Sequence, residues 1–530
     1  MGDGVTGDLP TRGSEPGAAG DAEGPGVRGG RPRLAFYGDD FTGSTDTLAA
    51  AVLGGWKAAL FMDVPSVEDL RRHGELDCIG VAGSARSMAP EEMDRVLPRI
   101  FAGLVATGAA VLHYKTCSTF DSATHIGSIG HAATLARAAL AAVSSLAPAA
   151  PGLSAASAGR PASAPLTAAA GTQPPPVYIV GGQPNLGRYC AYANLYARAG
   201  QDGRIYRIDR HPTMSCHPVT PMDEADLRVH LGRQGLQVLS FDVEMLELPE
   251  GEQDARLDAL LNDGVEAVLF DVTRPAHLAA IGRLLRARLP PAGPLLAVGP
   301  TGVVQALLAA QADAPVAAGD VAGGLNVAQD ANAANVAGVA QANASAAATA
   351  ARAAVSVPQT FIVAGSRSPV TAAQIARAEQ DGFVSVAVDP GALANYGDRK
   401  DDGAMTAVIA RITEALRSGR SVVAHTTFAD AGAAVRPGFT QALAGGSGRL
   451  MKEVLRRHPL KRVGFAGGDT SSLAVQSWGI TALTLAYVLA PGVAVCRIDA
   501  PGQSLDGVEL MLKGGQMGPP SLFPDLLAGI

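Results

Sequence analysis

The chain has 530 residues, 47% of them hydrophobic and 17% charged, with 63 glycines and a formal net charge of −7. That length accommodates two to four domains at roughly 100–200 residues each, and the acidic balance excludes a nucleic-acid binder, whose affinity comes from a basic surface. Five scattered cysteines without a CxxC pair argue against a disulfide framework or a structural zinc site. No signal-like leader and no run of about 18 apolar residues occurs, so a soluble, cytoplasmic protein without a membrane partner is expected.

Residues 1–32 read as a Gly-rich tail. Two blocks follow, 33–311 and 358–530. An Ala/Pro/Ser-rich insertion at 145–176 interrupts the first, and an Ala/Asn/Gly-rich linker at 312–357 separates the two. These low-complexity stretches carry too few large side chains to offset chain entropy. In the first block the apolar runs PRLAFYGDD, LDCIGVAG, AVLHYKT, PVYIVGG, VEAVLFDV and PLLAVGP each end in glycine, polar or acidic residues. In the second block QTFIVAGS, GFVSVAVD, RSVVAHTT and KRVGFAGGD do the same, and helical patterns such as MTAVIARITEALRSG follow the runs. Strands alternating with helices predict an α/β protein of two domains, each a mainly parallel sheet flanked by helices. Ligands of such sheets bind at the carboxyl ends of the strands.

The first strand end, LAFYGDDFTGSTDTLAA, places Asp39 and Asp40 at the tip, ahead of Thr42, Gly43 and Ser44. An aspartate there can cap the next helix, but two adjacent acids before small and hydroxyl residues favour a site. After the second strand, Arg86 in GVAGSARSM is a candidate anion ligand. The third strand end, HYKTCSTFDSATHIGSIG, crowds Lys115, Ser118, Thr119, Asp121 and Ser122 together. A lysine and several hydroxyls at a strand tip suit a carboxylate-bearing polyol. The segment from Asp209 to Asp226 contains His211, His217 and several acids. Its spacing fits no usual zinc pattern, so it reads as a rigid loop that closes on substrate with His217 as a contact, and no metal site is assigned.

In the second block, VAGSRSP (Gly365, Ser366, Ser368) and GFAGGDTSSLAV (Gly467, Gly468, Asp469, Thr470) end strands and open helices, and LKGGQMG follows at 512–518. Small-residue loops at helix N-termini let backbone N–H groups face phosphates. Neither GxxxxGK[ST] nor a strand-to-helix GxGxxG occurs, which excludes an ordinary P-loop and disfavours a dinucleotide dehydrogenase. Two α/β domains closing around ATP and a small polyol acid fit phosphoryl transfer, which depends on positioning and exclusion of water.

The strings GDDFTGSTD, YKTCSTFDS, AGSRSPVTAAQI and AGGDTSSLAVQSWGI resemble the signature segments of the four-carbon acid sugar kinase family, and the resemblance spans both blocks. It implies an N-terminal sugar-acid-binding domain, a C-terminal nucleotide-binding domain and an active site in the cleft between them. It also implies ATP as phosphoryl donor; Mg²⁺ is expected with it, because phosphate charge must be neutralised. Asp39, Asp40 and Thr42 match the substrate-side segment, with Asp39 or Asp40 as base. Arg86, Lys115, Ser118, Thr119 and Asp121 match sugar-acid contacts. Ser366, Gly467, Gly468, Asp469, Thr470 and Gly515 match nucleotide contacts, with Asp469 standing where the family carries Glu. Pro300 in AVGPTG stands where a small polar residue is expected. The longer strings are most similar to the branch acting on 3-oxo-isoapionate, with 3-oxo-tetronate, erythronate and threonate kinases as alternatives. A non-catalytic sugar-acid sensor and a metal-using hydrolase or aldolase are the readings from other classes. The expected partners are the sugar acid and ATP, and a homo-oligomer is compatible with all of this.

Overall fold

The structure is a computed structural model that describes residues 1, 31–144, 174–199, 203–217, 219–312, 355–365, 368–397, 403–426, 438–467 and 473–530. Most of the tail, the insertion and the linker therefore lie outside the described residues. In chain order the strands are β1 (Leu34–Gly38), β2 (Ala58–Phe61), β3 (Cys78–Ala82), β4 (Val111–Lys115), β5 (Val177–Val180), β6 (Arg188–Ala191), β7 (Asn194–Ala199), β8 (Arg204–Arg207), β9 (Val238–Phe241), β10 (Ala267–Phe270), β11 (Leu295–Gly299), β12 (Phe361–Ala364), β13 (Val384–Ala387), β14 (Val422–His425), β15 (Arg462–Ala466), β16 (Ala482–Ala490), β17 (Val493–Asp499) and β18 (Glu509–Lys513).

Fifteen of these form one sheet in the order β13-β14-β12-β15-β18-β17-β16-β2-β3-β1-β4-β11-β5-β10-β9. The eight strands from β2 to β9 are parallel to one another. So are β13, β14, β12, β15 and β18. Each of the expected strand runs is present, and the sheet is mainly parallel, as expected. The sequence reading did not anticipate β2, β6 to β9, the antiparallel strands β16 and β17, β18, or the way β16 pairs with β2 to make the sheet continuous. Strands β6, β7 and β8 form a separate antiparallel meander.

Strand β1 is buried along its whole length and lies between β3 and β4. The helix after β1, Phe41–Leu53, buries Phe41 and Leu48 on one face of the sheet, beside Leu278 and Val303. The helix between β3 and β4, Pro90–Ala106, buries Leu97 and Phe101 on the other face, beside Ile129 and Ala133. The connections from β1 to β2 and from β3 to β4 thus leave in opposite directions and cover opposite faces, which marks the point in an α/β sheet where ligands bind. The helix Phe41–Leu53 also packs against β16, β17 and β18, and its core continues into Phe361, Val363, Leu450 and Phe465. No helix among the described residues is long and apolar enough to cross a membrane.

Candidate active site

Register places Gly38, Ala82, Lys115 and Gly299 side by side at the carboxyl ends of β1, β3, β4 and β11. The chain therefore delivers Asp39, Asp40, Arg86 and Lys115 to one edge of the sheet. Asp40 caps the helix Phe41–Leu53. Its Oδ1 accepts from the Gly43 N–H at 2.9 Å, and its Oδ2 accepts from the Thr42 hydroxyl at 3.0 Å. Arg86 Nη1 stands 3.2 Å from Asp40 Oδ2, and Lys115 Nζ stands 3.5 Å from Asp40 Oδ1. Gly43 has to be glycine, because a β-carbon there would collide with the Lys115 ammonium and the Asp40 carboxylate.

Asp39 is held differently. Its backbone bonds to Lys115 O and Arg86 N, while its carboxylate receives only a long bond, 3.4 Å, from the Cys117 N–H. Among the described residues the buried Oδ1 has no hydrogen-bond partner. Burial and the neighbouring Asp40 push the Asp39 carboxyl up to about 7, against the pull of Lys115 and Arg86. Burial also pushes Asp40 upward, but Arg86, Lys115, the Thr42 hydroxyl and the Gly43 N–H outweigh it and hold that carboxyl down at about 2. Lys115 is buried too, and the two aspartates keep it protonated against that burial. Two adjacent carboxyls driven apart in this way are an arrangement suited to acid–base work at neutral pH.

The loop after β4 completes this edge. Thr119 donates to Asp121 Oδ1 at 2.5 Å, and Asp121 Oδ2 lies 3.9 Å from Arg86 Nη1. Phe120, between them, is buried at a positive φ of 52°. His230 holds this strained turn through the Ser122 hydroxyl (2.9 Å) and the Phe120 carbonyl (3.2 Å). Ser118 is half-buried on the same loop. His217 is half-buried, and its Nδ1 accepts from the Thr220 N–H at 3.2 Å and meets the Thr220 hydroxyl at 3.1 Å, within its own loop. Among the described residues no group of three or more His, Cys, Asp or Glu side chains is arranged to hold a metal ion.

Sequence reasoning passed over a second polar group beside this edge. Asp46 Oδ2 accepts from the Thr301 hydroxyl at 2.5 Å and from Gln183 Nε2 at 2.9 Å, and Thr301 meets Thr47 at 3.1 Å. Asp46 lies on the same helix face as Thr42 and Gly43, a spacing visible in GDDFTGSTD. Thr301 immediately follows Pro300, so a hydroxyl is still present where that segment departs from the family pattern.

The second set of strand ends looks different. Ala364, Ala466 and Lys513 are in register, Gly365 N–H donates to Ala466 O, and Gly467 N–H donates to Lys513 O, so three glycine-bearing loops leave the sheet side by side. Gly467 has a φ of 140°, which favours glycine. The Gly515 carbonyl accepts from Thr371 at 3.2 Å. Buried Lys513 donates to Thr371 Oγ1 (2.9 Å), Gln374 Oε1 (2.6 Å) and Gly515 O (3.4 Å), and burial pulls its ammonium down to about 7. Ser366, Gly468, Asp469 and Thr470 lie outside the described residues. Glycine-bearing loops at parallel strand ends, where no side chain blocks the approach of backbone N–H groups, fit a phosphate-bearing ligand.

Comparison with known proteins agrees with this division. A family model described as a sugar-binding N-terminal domain matches residues 34–307, and one described as a nucleotide-binding C-terminal domain matches residues 361–523. A 3-oxo-isoapionate kinase of Paraburkholderia graminis is 35% identical over 92% of this chain and 93% of its own length. A 3-oxo-tetronate kinase of Cupriavidus necator is 28% identical over 94% of this chain and 97% of its own. Two solved structures share the fold. One is a Salmonella typhimurium LT2 protein described as a tRNA synthase, with TM-score 0.64 and 20% identity over 94% of this chain and 98% of that one. The other is a Haemophilus influenzae protein, with TM-score 0.59 and 17% identity over 93% and 99%. A half built for sugar binding beside a half built for nucleotide binding defines a sugar-acid kinase, a phosphotransferase with an alcohol group as acceptor. The chain belongs to the four-carbon acid sugar kinase family.

Proposed function

We propose that the protein transfers the γ-phosphoryl group of ATP to a hydroxyl of 3-oxo-isoapionate, with Asp39 as the general base. The similarity to the Paraburkholderia kinase favours this acid over 3-oxo-tetronate. The observation that carries the chemistry is the unpartnered, buried Oδ1 of Asp39, on a carboxyl poised near neutrality beside a cation-locked neighbour. Asp39 accepts the proton of the acceptor hydroxyl as that oxygen attacks the γ-phosphorus and ADP departs. Asp40 holds Arg86 and Lys115 in place, and Thr42, Ser118, Thr119, Asp121 and His217 meet the hydroxyls of the acid. Ser366, Gly467, Gly468, Asp469, Thr470 and Gly515 hold ATP, and Mg²⁺ bound with its phosphates neutralises their charge.

In this reading residues 33–311 carry the acid, residues 358–530 carry the nucleotide, and the reaction takes place between them. Two observations support that. The two parallel strand sets run in opposite senses, because β16 pairs antiparallel with β2. Yet six strand-to-strand steps separate β1 from β15. Twist of roughly 20–25° per step, the usual range for such sheets, would accumulate to about 120–150° and offset much of that reversal. The helix capped by Asp40 also packs on β18, the strand that ends in Lys513.

The test is ADP release with Mg·ATP against 3-oxo-isoapionate, 3-oxo-tetronate, D-erythronate, L-erythronate and D-threonate, each compared with a blank lacking acceptor. Turnover on 3-oxo-isoapionate far above the rest is expected. Preference for another acid moves the substrate assignment, and silence across the panel with ATP bound removes it.

A further inference from the structure

Resting on that reading, the charge balance of the acid-binding edge requires another cation. Three carboxylates, Asp39, Asp40 and Asp121, face two cations, Arg86 and Lys115. Both cations already lie against Asp40, at 3.2 and 3.5 Å, and Arg86 also approaches Asp121. A base must be ionised to act, and with Asp39 ionised this set is net negative. An incoming carboxylate would meet repulsion in a low-dielectric pocket.

Arg188 differs from both. It opens β6, just past the loop that leaves the carboxyl end of β5, and β5 is separated from β4 only by β11. Reciprocal backbone bonds with Gln183, at 2.9 and 3.2 Å, fix its position. The Gln183 side chain is in turn tied to Asp46 on the helix that Asp40 caps. Arg188 Nη1 donates to the carbonyls of Leu186 (2.8 Å), Gly187 (3.4 Å) and Arg198 (3.3 Å), all uncharged acceptors. Its buried Nε has no hydrogen-bond partner, and among the described residues none bonds its Nη2 and no carboxylate lies within ion-pair distance. The carboxylate whose charge acts on it is Asp121, on the loop that closes the active site, and the Cys117 thiol of that loop lies near it as well.

We propose that Arg188 receives the carboxylate of the sugar acid and supplies the third positive charge, which balances Asp39, Asp40 and Asp121 and which Arg86 and Lys115, both paired with Asp40, do not provide. The three carbonyls around Nη1 hold the guanidinium in place and leave its Nη2 to make a charge-assisted hydrogen bond to a carboxylate. Arg188 is thus a specificity-determining residue: it selects acids over neutral polyols, whereas Asp39 acts on the hydroxyl.

The experiment compares 3-oxo-isoapionate with its primary carboxamide, which keeps the shape and lacks the charge, in the wild type, Arg188→Gln and Arg188→Lys. The readout is the ratio of kcat/KM for acid over amide. The wild type should favour the acid, and Arg188→Gln should lower that ratio roughly 10- to 100-fold, the range for a lost charge-assisted hydrogen bond. Arg188→Lys should recover part of it. Equal losses on acid and amide would make Arg188 a scaffold residue and overturn the assignment, as would an unchanged ratio. If Arg188→Gln loses its cooperative thermal transition, Arg188→Lys carries the test, because a lysine variant that folds and keeps the charge yet shows no preference for the acid contradicts a charge contact at this position. A wild type that turns over no acid would instead remove the kinase–substrate reading itself, and the Arg188 assignment with it.

Discussion

At the carboxyl ends of β1 and β4, Asp39, Asp40, Arg86, Lys115 and Asp121 are packed side chain against side chain. At the ends of β12, β15 and β18, glycine backbone is presented instead, with Lys513 turned inward onto Thr371, Gln374 and the Gly515 carbonyl. Moving a proton needs carboxyls whose affinities are set apart, and here close charges, burial and hydrogen bonds to Asp40 do that. Holding a triphosphate needs close approach of backbone N–H groups, which side chains would obstruct. Both edges nonetheless use the same strand-exit device: Gly299 leaves β11 at a φ of 143° and Gly467 leaves β15 at 140°.

The sharpest way to break this division of labour is Asp39→Asn. It should lower kcat roughly 10²- to 10⁴-fold, the range for a lost general base, with little change in KM for ATP. Near-normal ADP release would move the base to another residue. Gly43→Ala comes next, since its methyl must displace Lys115 or Asp40. A loss of about 1–3 kcal/mol in stability is expected from such overpacking, read as a lower Tm together with reduced turnover. An unchanged Tm and rate would mean that the ammonium relaxes freely.

A subtler effect lies in the pH profile. Burial and Asp40 raise the Asp39 carboxyl to about 7, and the base must be deprotonated, so kcat/KM should rise with pH through about 7. Asp40, held at about 2, adds no limb above pH 5. Arg86→Gln removes a charge that pulls Asp39 down, so its acid limb should move to higher pH. A limb that stays put or moves lower would separate Asp39 from the profile. The smallest effect should come from the other edge. Lys513→Met loosens the Gly515 loop and should raise KM for ATP roughly 3- to 10-fold, leaving KM for the sugar acid unchanged. A rise in the sugar-acid constant instead would contradict the division.

The charged edge was legible because its residues close apolar runs: Asp39 and Asp40 after LAFYG, Lys115 at the end of VLHYK. A strand end in a parallel sheet is already a statement about location. The sequence left open which aspartate is the base, because both occupy the same tip. Only the Gly43 and Thr42 bonds that commit Asp40, together with the two cations on it, separate the pair. Arg188 was hidden because the loop it answers to lies some seventy residues earlier in the chain. Strands β6 to β8 were hidden because arginines and tyrosines interrupt their apolar positions, so no apolar run marks them. The hairpin of β16 and β17 did carry a signal, the Pro491-Gly492 turn with Gly492 at a φ of 72°. Its Ala-rich strand gave no clear alternation to set beside that turn.

The pairing of β16 with β2 also governs how the chain is made. The partners of Leu60 and Phe61 are Leu483 and Ala482, translated about four hundred residues later. At roughly 5–20 residues per second a nascent chain waits about 20–80 s for them. Throughout that interval Ala59, Leu60 and Phe61, all buried in the finished protein, sit on an open strand edge. The first half of the protein is therefore expected to carry an unpaired apolar edge, of the kind that chaperones cover, until its last strands arrive.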